Sequence, residues 1–462
     1  MNRKEAEDFV YKSYMKAEKH QAYAAPDAAK RRPDLTREIL RRRSLTPCAV
    51  VTGSKGKGSV ASMISQILQI RFRVGLMTSP HLESFCERFR INGTAITDDD
   101  LAKYMTMIRP EIEAIDEKLP ENVCISPMGI QADLALTYFN AERTGFNVLE
   151  CGKGAKYDDV NNAVHAYAVI NSVFPEHTRE LGATVEEIAL DKAHVITGGG
   201  EQKCVYVGPQ QPEVMRIIKE RAERTGTALK VYGEDFWAEK IRWSMSGMIF
   251  DVIAGDRVVR DIFIPLMGEH QARNCALAMA LCMDVLEETG ETAAEQTCMV
   301  TSRAYGIEDH ELEDIKEKLS QLNWPGRLDV ISADPFILLD ACIHPQSCRY
   351  VKDVMMHLGI EKATVVIGIP DDKDFAGVAR EMRPVAEQFI LTRSQNPHYL
   401  FSKEQTGRLS EMGITAVWTE TVEEAVDSAL SLQRPVVILG TTSVVAEVKK
   451  LQASSGGFPE PG

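Results

Sequence analysis

The chain is 462 residues long, 44% hydrophobic and 26% charged; that length exceeds one ordinary core and divides into two or three domains of a soluble globular protein. Its formal net charge of -14 excludes a general nucleic-acid binder, which needs a basic face to displace counterions. No run approaches the ~18 apolar residues of a membrane span, and the charged, amphipathic start MNRKEAEDFVYKSYMKAEK lacks the apolar core of a signal peptide, so a cytoplasmic protein is expected.

Residues 1–47 read as two helices, separated by AAPDAAKRRPDL with Pro26 and Pro33 as breakers. The basic run from Lys30 to Arg43 is either a solvated helix face or a site for an acidic ligand. From Ala49 strands and helices alternate. CAVVTG is a strand, SVASMISQILQI a helix and RVGLMTS a second strand; FNVLECG, AYAVINSVF and KCVYVG follow, with helical patterns between them. That alternation means a parallel sheet covered by helices on both faces. KIRWSMSGMIFDVIAGDRVVRDIFIPL alternates with period two and turns at Gly247 and AGD, which reads as an inserted antiparallel hairpin. After the helical QARNCALAMALCMDVLEET comes a charged linker. FILLDAC, ATVVIGI, QFILTRS and PVVILGT are then the strands of a second domain.

The expected fold class is α/β: a central, P-loop-type domain on a mostly parallel sheet, and a smaller Rossmann-like α/β domain. The expected boundaries are an N-terminal helical segment (1–48), the central domain (49–300), a linker (301–326), the second domain (327–453) and a disordered tail (454–462). Ten cysteines, Cys48, Cys86, Cys124, Cys151, Cys204, Cys275, Cys282, Cys298, Cys342 and Cys348, show no CxxC spacing. Buried reduced thiols are expected rather than a zinc site, an iron–sulfur site or a disulfide framework.

The chemistry centres on AVVTGSKGKGSVASMI, residues 49–64. Gly53, Ser54, Lys55, Gly56, Lys57, Gly58 and Ser59 leave a strand and open a helix, the context of a phosphate loop. Glycines let backbone N–H groups approach phosphate oxygens, and the helix N-terminus adds a favourable partial charge. Lys57 is placed to reach the β- and γ-phosphates. The loop is not a standard Walker A sequence: Val51 and Gly58 stand where a glycine and a Ser or Thr are required. A flexible, basic strand–helix turn is the alternative.

The loop resembles the G-T-N-G-K-G-S version of the folylpolyglutamate and dihydrofolate synthases, in the Mur ligase superfamily. VGLMTSPHLESFCERFRINGTAI is similar to that family's GLYTSPHL…F.ERI.ING..I, VLECGKGAKYDDVNNA to VLEVGLGGRLDATN, and the segment from Ile170 to Ile196 to DHTE.LG.T…IA.EKAGI. LMGEHQARNCALA, WPGRLDVI, GIPDDKD and ILGTTSVVAEV match further motifs in the correct order across about 400 residues.

The resemblance implies an ATP-dependent, ADP-forming acid–amino acid ligase. A substrate carboxylate takes the γ-phosphate of ATP, and the amine of an amino acid, glutamate first of all, attacks the acyl phosphate. It implies ATP and Mg²⁺ as cofactors. Ser79, Glu150 and His177 match the magnesium ligands, and Lys192 matches a lysine that is carbamylated and holds a second Mg²⁺. Asn274 matches a nucleotide-contacting asparagine, Arg327 an arginine that reaches the phosphates, and Asp340 the aspartate of DGAHNP. Lys373 and Asp374 match DKD. The alternatives are a helix-capping carboxylate for Glu150, a structural imidazole for His177, a surface lysine for Lys192 and an interdomain salt bridge for Arg327. A monomer or weak oligomer is expected, acting on small molecules without nucleic acid or membrane.

Several motifs depart from the family. DGAHNP is here DACIHP, with Ile343 and His344 where histidine and asparagine are usual. His344 either substitutes after a small shift or packs as a bystander. Ala155 and Lys156 stand where the family has glycine and arginine, Glu176 stands for the aspartate of DHT, and SPMGIQAD replaces the segment near the folate site. The phosphate and magnesium residues are better kept than the acceptor side, so the acceptor is either a folate or another carboxylate. A catalytically reduced ATP-binding regulatory protein of the same fold is the other class of reading. A P-loop kinase fits the loop but not the second domain.

Overall fold

A computed structural model describes residues 1–20, 31–244, 246–296, 307–397 and 399–454. Pro26, Lys30, Cys298, residues 301–306 of the expected linker and the tail from 455 lie outside the described residues. The chain forms two compact units: Met1–Glu239 with Asp251–Ile262 and Arg273–Leu322, and Lys240–Phe250 with Phe263–Ala272 and Asn323–Gly462.

The first unit is built on eight strands: β1 (Cys48–Thr52), β2 (Val74–Met77), β3 (Phe89–Ile91), β4 (Thr94–Ala95), β5 (Phe146–Glu150), β6 (Tyr167–Ile170), β7 (Cys204–Val207) and β8 (Ala228–Val231). Their order is β4-β3-β2-β5-β1-β6-β7-β8. The six strands from β2 to β8 run parallel, and β3 and β4 add an antiparallel edge. Every residue of β1, β5 and β6 is buried, as continuous apolar runs covered on both faces must be. The helix Lys57–Leu68 packs on β2 and β5, and Pro127–Ala141 packs on β2. Arg3–Glu18 starts from an Asn2/Glu5 capping box and turns Phe9, Val10 and Ala17 inward against Asp98–Asp116 and Pro127–Ala141.

Five arginines of the N-terminal basic run pair with carboxylates of the first unit. Arg31, Arg32, Arg41, Arg42 and Arg43 face Asp158, Asp34, Glu201, Glu111 and Asp133 respectively. Arg32, Arg41 and Arg42 are about half exposed in these pairs, so this part of the run is a solvated face laced with surface ion pairs. Nine cysteines of the described residues are buried, each a free thiol.

The inserted hairpin is a three-stranded sheet, β9 (Phe236–Trp243), β10 (Met248–Ala254) and β11 (Arg257–Ile264), in the order β11-β10-β9. The second unit carries six strands, β12 (Asp329–Ala333), β13 (Phe336–Asp340), β14 (Ala363–Gly368), β15 (Ala386–Leu391), β16 (Ala416–Trp418) and β17 (Val436–Gly440). Their order is β12-β13-β17-β14-β15-β16. All pairs are parallel except β12 with β13. Among the described residues no helix is long and apolar enough to cross a membrane.

Candidate active site

The strand register assembles the site. Val51 lies level with Glu150, Thr52 with Ile170 and Met77 with Leu149. The carboxyl ends of β2, β5, β1 and β6 therefore form one edge, where open α/β sheets bind ligands. From β1 the chain enters the phosphate loop. Gly53 and Gly56 have φ of 145° and 79°, and Gly56 is the N-cap of Lys57–Leu68. A Cβ at Gly56 would come within 2.7 Å of the Asn171 amide nitrogen and 3.0 Å of that of Asn274, so both the dihedral and the space require glycine.

The loop is fastened from several sides. The Ser54 amide donates to the Ser172 carbonyl at 2.9 Å, and the Ser54 hydroxyl donates to the Phe174 carbonyl at 3.0 Å. The Asn171 amide nitrogen donates to the Lys55 carbonyl at 3.0 Å and to Asn274 Oδ1 at 2.8 Å. Lys57 Nζ donates to the Gly53 carbonyl at 3.2 Å. Gly58 and Ser59 fall in the first helical turn, whose N–H groups have no partner within the helix. Ser59 Oγ is buried and makes no hydrogen bond.

Lys192 is not a surface lysine. It is fully buried, and Nζ donates to the same Gly53 carbonyl at 2.9 Å and pairs with Glu176 at 2.8 Å. Burial pushes the Lys192 pKa down against the pull of Glu176. Burial alone would raise Glu176, but Lys192, Lys57 and His177 outweigh it and its pKa is lowered. His177 takes a left-handed φ of 47°, with ring nitrogens 4.0 Å from Glu176 and 4.0 Å from Glu180. Loss of hydration lowers its pKa to about 4, against the pull of Glu176. On the neighbouring strands Glu150 is buried, and its Oε2 accepts from the Ser79 amide at 2.9 Å.

The first unit thus gathers the loop residues, Lys192 and Asn274, with His177 joined through Glu176 and the Ser79–Glu150 pair on the adjoining strand ends. Arg327 and Asp340 belong to the second unit. There Asp340 accepts from the Leu328 amide at 2.9 Å, and Arg327 Nη1 donates to the Gly326 carbonyl at 3.0 Å. Asp374 caps the helix Phe375–Met382, and Lys373 pairs with Asp372 at 3.2 Å. In the altered DACIHP motif Ile343 packs on the core of this unit, while the Cys342 and Cys348 thiols both point at the His344 carbonyl.

Sequence reasoning missed four polar residues. Asn171 ties the loop to Asn274, and its signal was a single amide closing an apolar strand. Glu176 reads from the sequence only as a departure from the family's DHT on the acceptor question, yet it is the direct partner of Lys192. Asp191 accepts from the amides of Ala155 and Lys156 at 2.8 and 3.2 Å and so holds the GKGAK turn. Asp159 is fully buried; Oδ1 accepts from Thr36 at 2.6 Å and Oδ2 has no partner. Among the described residues no group of three or more His, Cys, Asp or Glu forms a metal cage.

A family profile described as "Mur ligase middle domain" matches residues 51–282. The chain belongs to the Mur ligase family. A second profile, "Mur ligase, glutamate ligase domain", matches residues 326–442. The ligase is 27% identical to the folylpolyglutamate synthase of Lacticaseibacillus casei, over 87% of this chain and 88% of the relative. It is 26% identical to the dihydrofolate synthase/folylpolyglutamate synthase of Mycobacterium tuberculosis, over 84% and 78%. The structure of folylpolyglutamate synthase from Mycobacterium tuberculosis complexed with ADP and AMPPCP superposes with a TM-score of 0.80 at 24% identity, covering 93% of this chain and 97% of that one. A folylpolyglutamate synthase complex with AMPPCP and folate gives 0.77 at 24%, covering 98% and 100%. The chain is an ATP-dependent ligase that forms C–N bonds.

The buried Asp159 gives the ligase a defined pH response. Burial raises its pKa from 3.8 to about 6. A folded pKa above the unfolded value means that the native state binds the proton more tightly. Asp159 therefore costs nothing below about pH 4, and stability falls as pH rises to about 6, by roughly 3 kcal/mol. Asp159→Asn should lose that fall. In urea titrations from pH 4 to 8, the variant is expected to gain on the wild type up to about pH 6 and then hold level. A difference that does not change with pH would contradict this.

Proposed function

We propose that this ligase uses ATP to join glutamate to the carboxylate of a folate-type acceptor through an acyl phosphate. The observation that carries the reading is the fastened phosphate loop at Gly53–Ser59 with Lys57 and Lys192 converging on it. The relatives and the glutamate ligase profile supply the substrate class.

The chemistry follows from the charges. One acceptor oxygen attacks the γ-phosphorus and ADP leaves; the glutamate amine then attacks the activated carbonyl and phosphate leaves. Such transfers need positioning and charge neutralisation more than covalent help. The loop N–H groups and Lys57 bind the β- and γ-phosphates. Asn274 is the further nucleotide residue of the first unit; Arg327 and Asp340 are the candidate nucleotide residues of the second unit.

The residues present fit Mg²⁺, which takes one or two carboxylates and completes its shell with phosphate oxygens and water. Ser59 Oγ is buried without a partner at the mouth of the loop, and Glu150 is a buried carboxylate at the same sheet edge. Ser79, Glu150 and His177 would hold the ion, which when bound neutralises charge on the phosphate oxygens. Lys192 has two states to offer. As an ammonium it pins the Gly53 carbonyl and neutralises Glu176. Its lowered pKa also favours the neutral amine that CO₂ requires, and carbamylation would turn it into an anion able to face a second cation.

A second acceptor class, another organic acid, is favoured by one feature: the GKGAK turn is held by Asp191 through Ala155 and Lys156, where the family has glycine and arginine. Purified protein with ATP, Mg²⁺ and glutamate should release phosphate and a glutamylated product with dihydropteroate or tetrahydrofolate. Turnover only with a different acid would replace the folate assignment by the second. Lys57→Ala should lower turnover by about 10²- to 10³-fold while keeping the fold, and normal activity in that variant would overturn the site. Lys192→Ala should regain part of its activity with added formate or acetate. Failure of that rescue in a folded variant would favour the ammonium role.

A further inference from the structure

One polar chain in the first unit is not used by the phosphate site. Gln131, 1% exposed on the helix Pro127–Ala141, donates to the Pro127 carbonyl at 2.9 Å and accepts from Arg88 Nη1 at 2.8 Å. Arg88 is itself only 8% exposed, and its Nε donates to His81 Nδ1 at 2.9 Å. The Arg88 carbonyl accepts from the Thr78 amide at 3.0 Å, which fixes it across from the end of β2. Phe85 holds the His81 ring edge-on, with centroids 5.8 Å apart.

This chain settles a tautomer. A guanidinium has only N–H donors, so His81 Nδ1 must present its lone pair. The ring proton therefore sits on Nε2, and Nε2 makes no bond among the described residues. His81 is half-buried, so this N–H is a fixed, neutral, accessible donor. The strand order says where it stands. The phosphate loop follows β1, Glu150 ends β5, and His81 follows β2, in the order β2-β5-β1. His81 thus follows the strand that lies on the far side of Glu150 from the phosphate loop.

We propose that His81 binds the acceptor acid, its Nε2–H holding one carboxylate oxygen while the other oxygen attacks ATP. Arg88 and Gln131 are positioning residues that act through it. This rests on the ligase reading above. In the step, the free oxygen forms a bond to the γ-phosphorus, the bond from that phosphorus to the bridging oxygen breaks, and ADP leaves with the electron pair. No proton moves, so the site needs a donor that orients the nucleophile and not an acid. A cation in its place would hold the carboxylate's lone pairs more tightly and blunt the attack.

The test compares three substitutions with the wild type, using the acid that the wild type turns over. Glutamine can place an amide N–H where Nε2 stood, whereas asparagine can place one only where Nδ1 stood. His81→Ala and His81→Asn should lose roughly ten- to a hundredfold in kcat/KM for the acceptor, as for a hydrogen bond to a charged group. KM for ATP should change less than twofold, and His81→Gln should recover at least a tenth of the wild-type value. Long-range ¹⁵N NMR of the unliganded protein should show the proton on Nε2 in the wild type and lose that preference in Arg88→Met. A proton on Nδ1, equal behaviour of the Asn and Gln variants, or a loss confined to ATP would overturn the role of His81. Failure of the wild type to turn over any acid, with the Nε2–H signal intact, would instead overturn the ligase reading and the His81 role with it.

Discussion

The carbonyl oxygen of Gly53 accepts from two lysines, Lys57 and the buried Lys192, and the rest of the site depends on that convergence. Two ammonium groups close together in a partly dry environment repel unless anions offset them. Within the chain Glu176 provides part of the offset, bonded to Lys192 at 2.8 Å. The triphosphate of ATP provides the remainder in this account. A loop so charged is stable only because it is fastened by neutral contacts as well, through Ser54, Asn171 and the left-handed Gly56. The fold's task is to hold this edge level: three buried parallel strands end in register, so residues far apart in sequence meet there.

The division of labour along the edge follows from strand order. In the proposed assignment the β1 end takes phosphate, the β5 end supplies the Glu150 carboxylate, and the β2 end offers the His81 donor. Cation, anion and neutral donor succeed one another in a way that suits phosphoryl transfer to a carboxylate. The departures from the family fall in the GKGAK turn, at Glu176 beside Lys192, in the SPMGIQAD segment and in the DACIHP motif of the second unit.

Much of this was legible in the sequence, for physical reasons. Strands β1, β5, β6, β13, β14 and β17 are apolar runs because they are covered on both faces, and such runs announce themselves. The loop at Gly53–Ser59 was legible from its place between strand and helix. What escaped was short or set by tertiary burial. β3 and β4 are three and two residues long, too short for periodicity to register, and the edge strand β16 has only three residues. The depth of Lys192 could not be read from a charged helical pattern, since its burial depends on Glu176 arriving from the loop before that helix. Nor could most of the pairing of the basic N-terminal run, since Asp158, Glu201, Glu111 and Asp133 come from elsewhere in the first unit.

The account's central claim is that an acceptor carboxylate is phosphorylated at this edge. It is tested most directly by labelling that carboxylate with ¹⁸O, running the ligase with ATP and glutamate, and measuring the isotope in the released phosphate. An acyl phosphate leaves one acceptor oxygen on the phosphate, so label should appear there in step with product. Product formed with unlabelled phosphate would mean that amide formation proceeds without phosphorylating the acid, and would contradict the account.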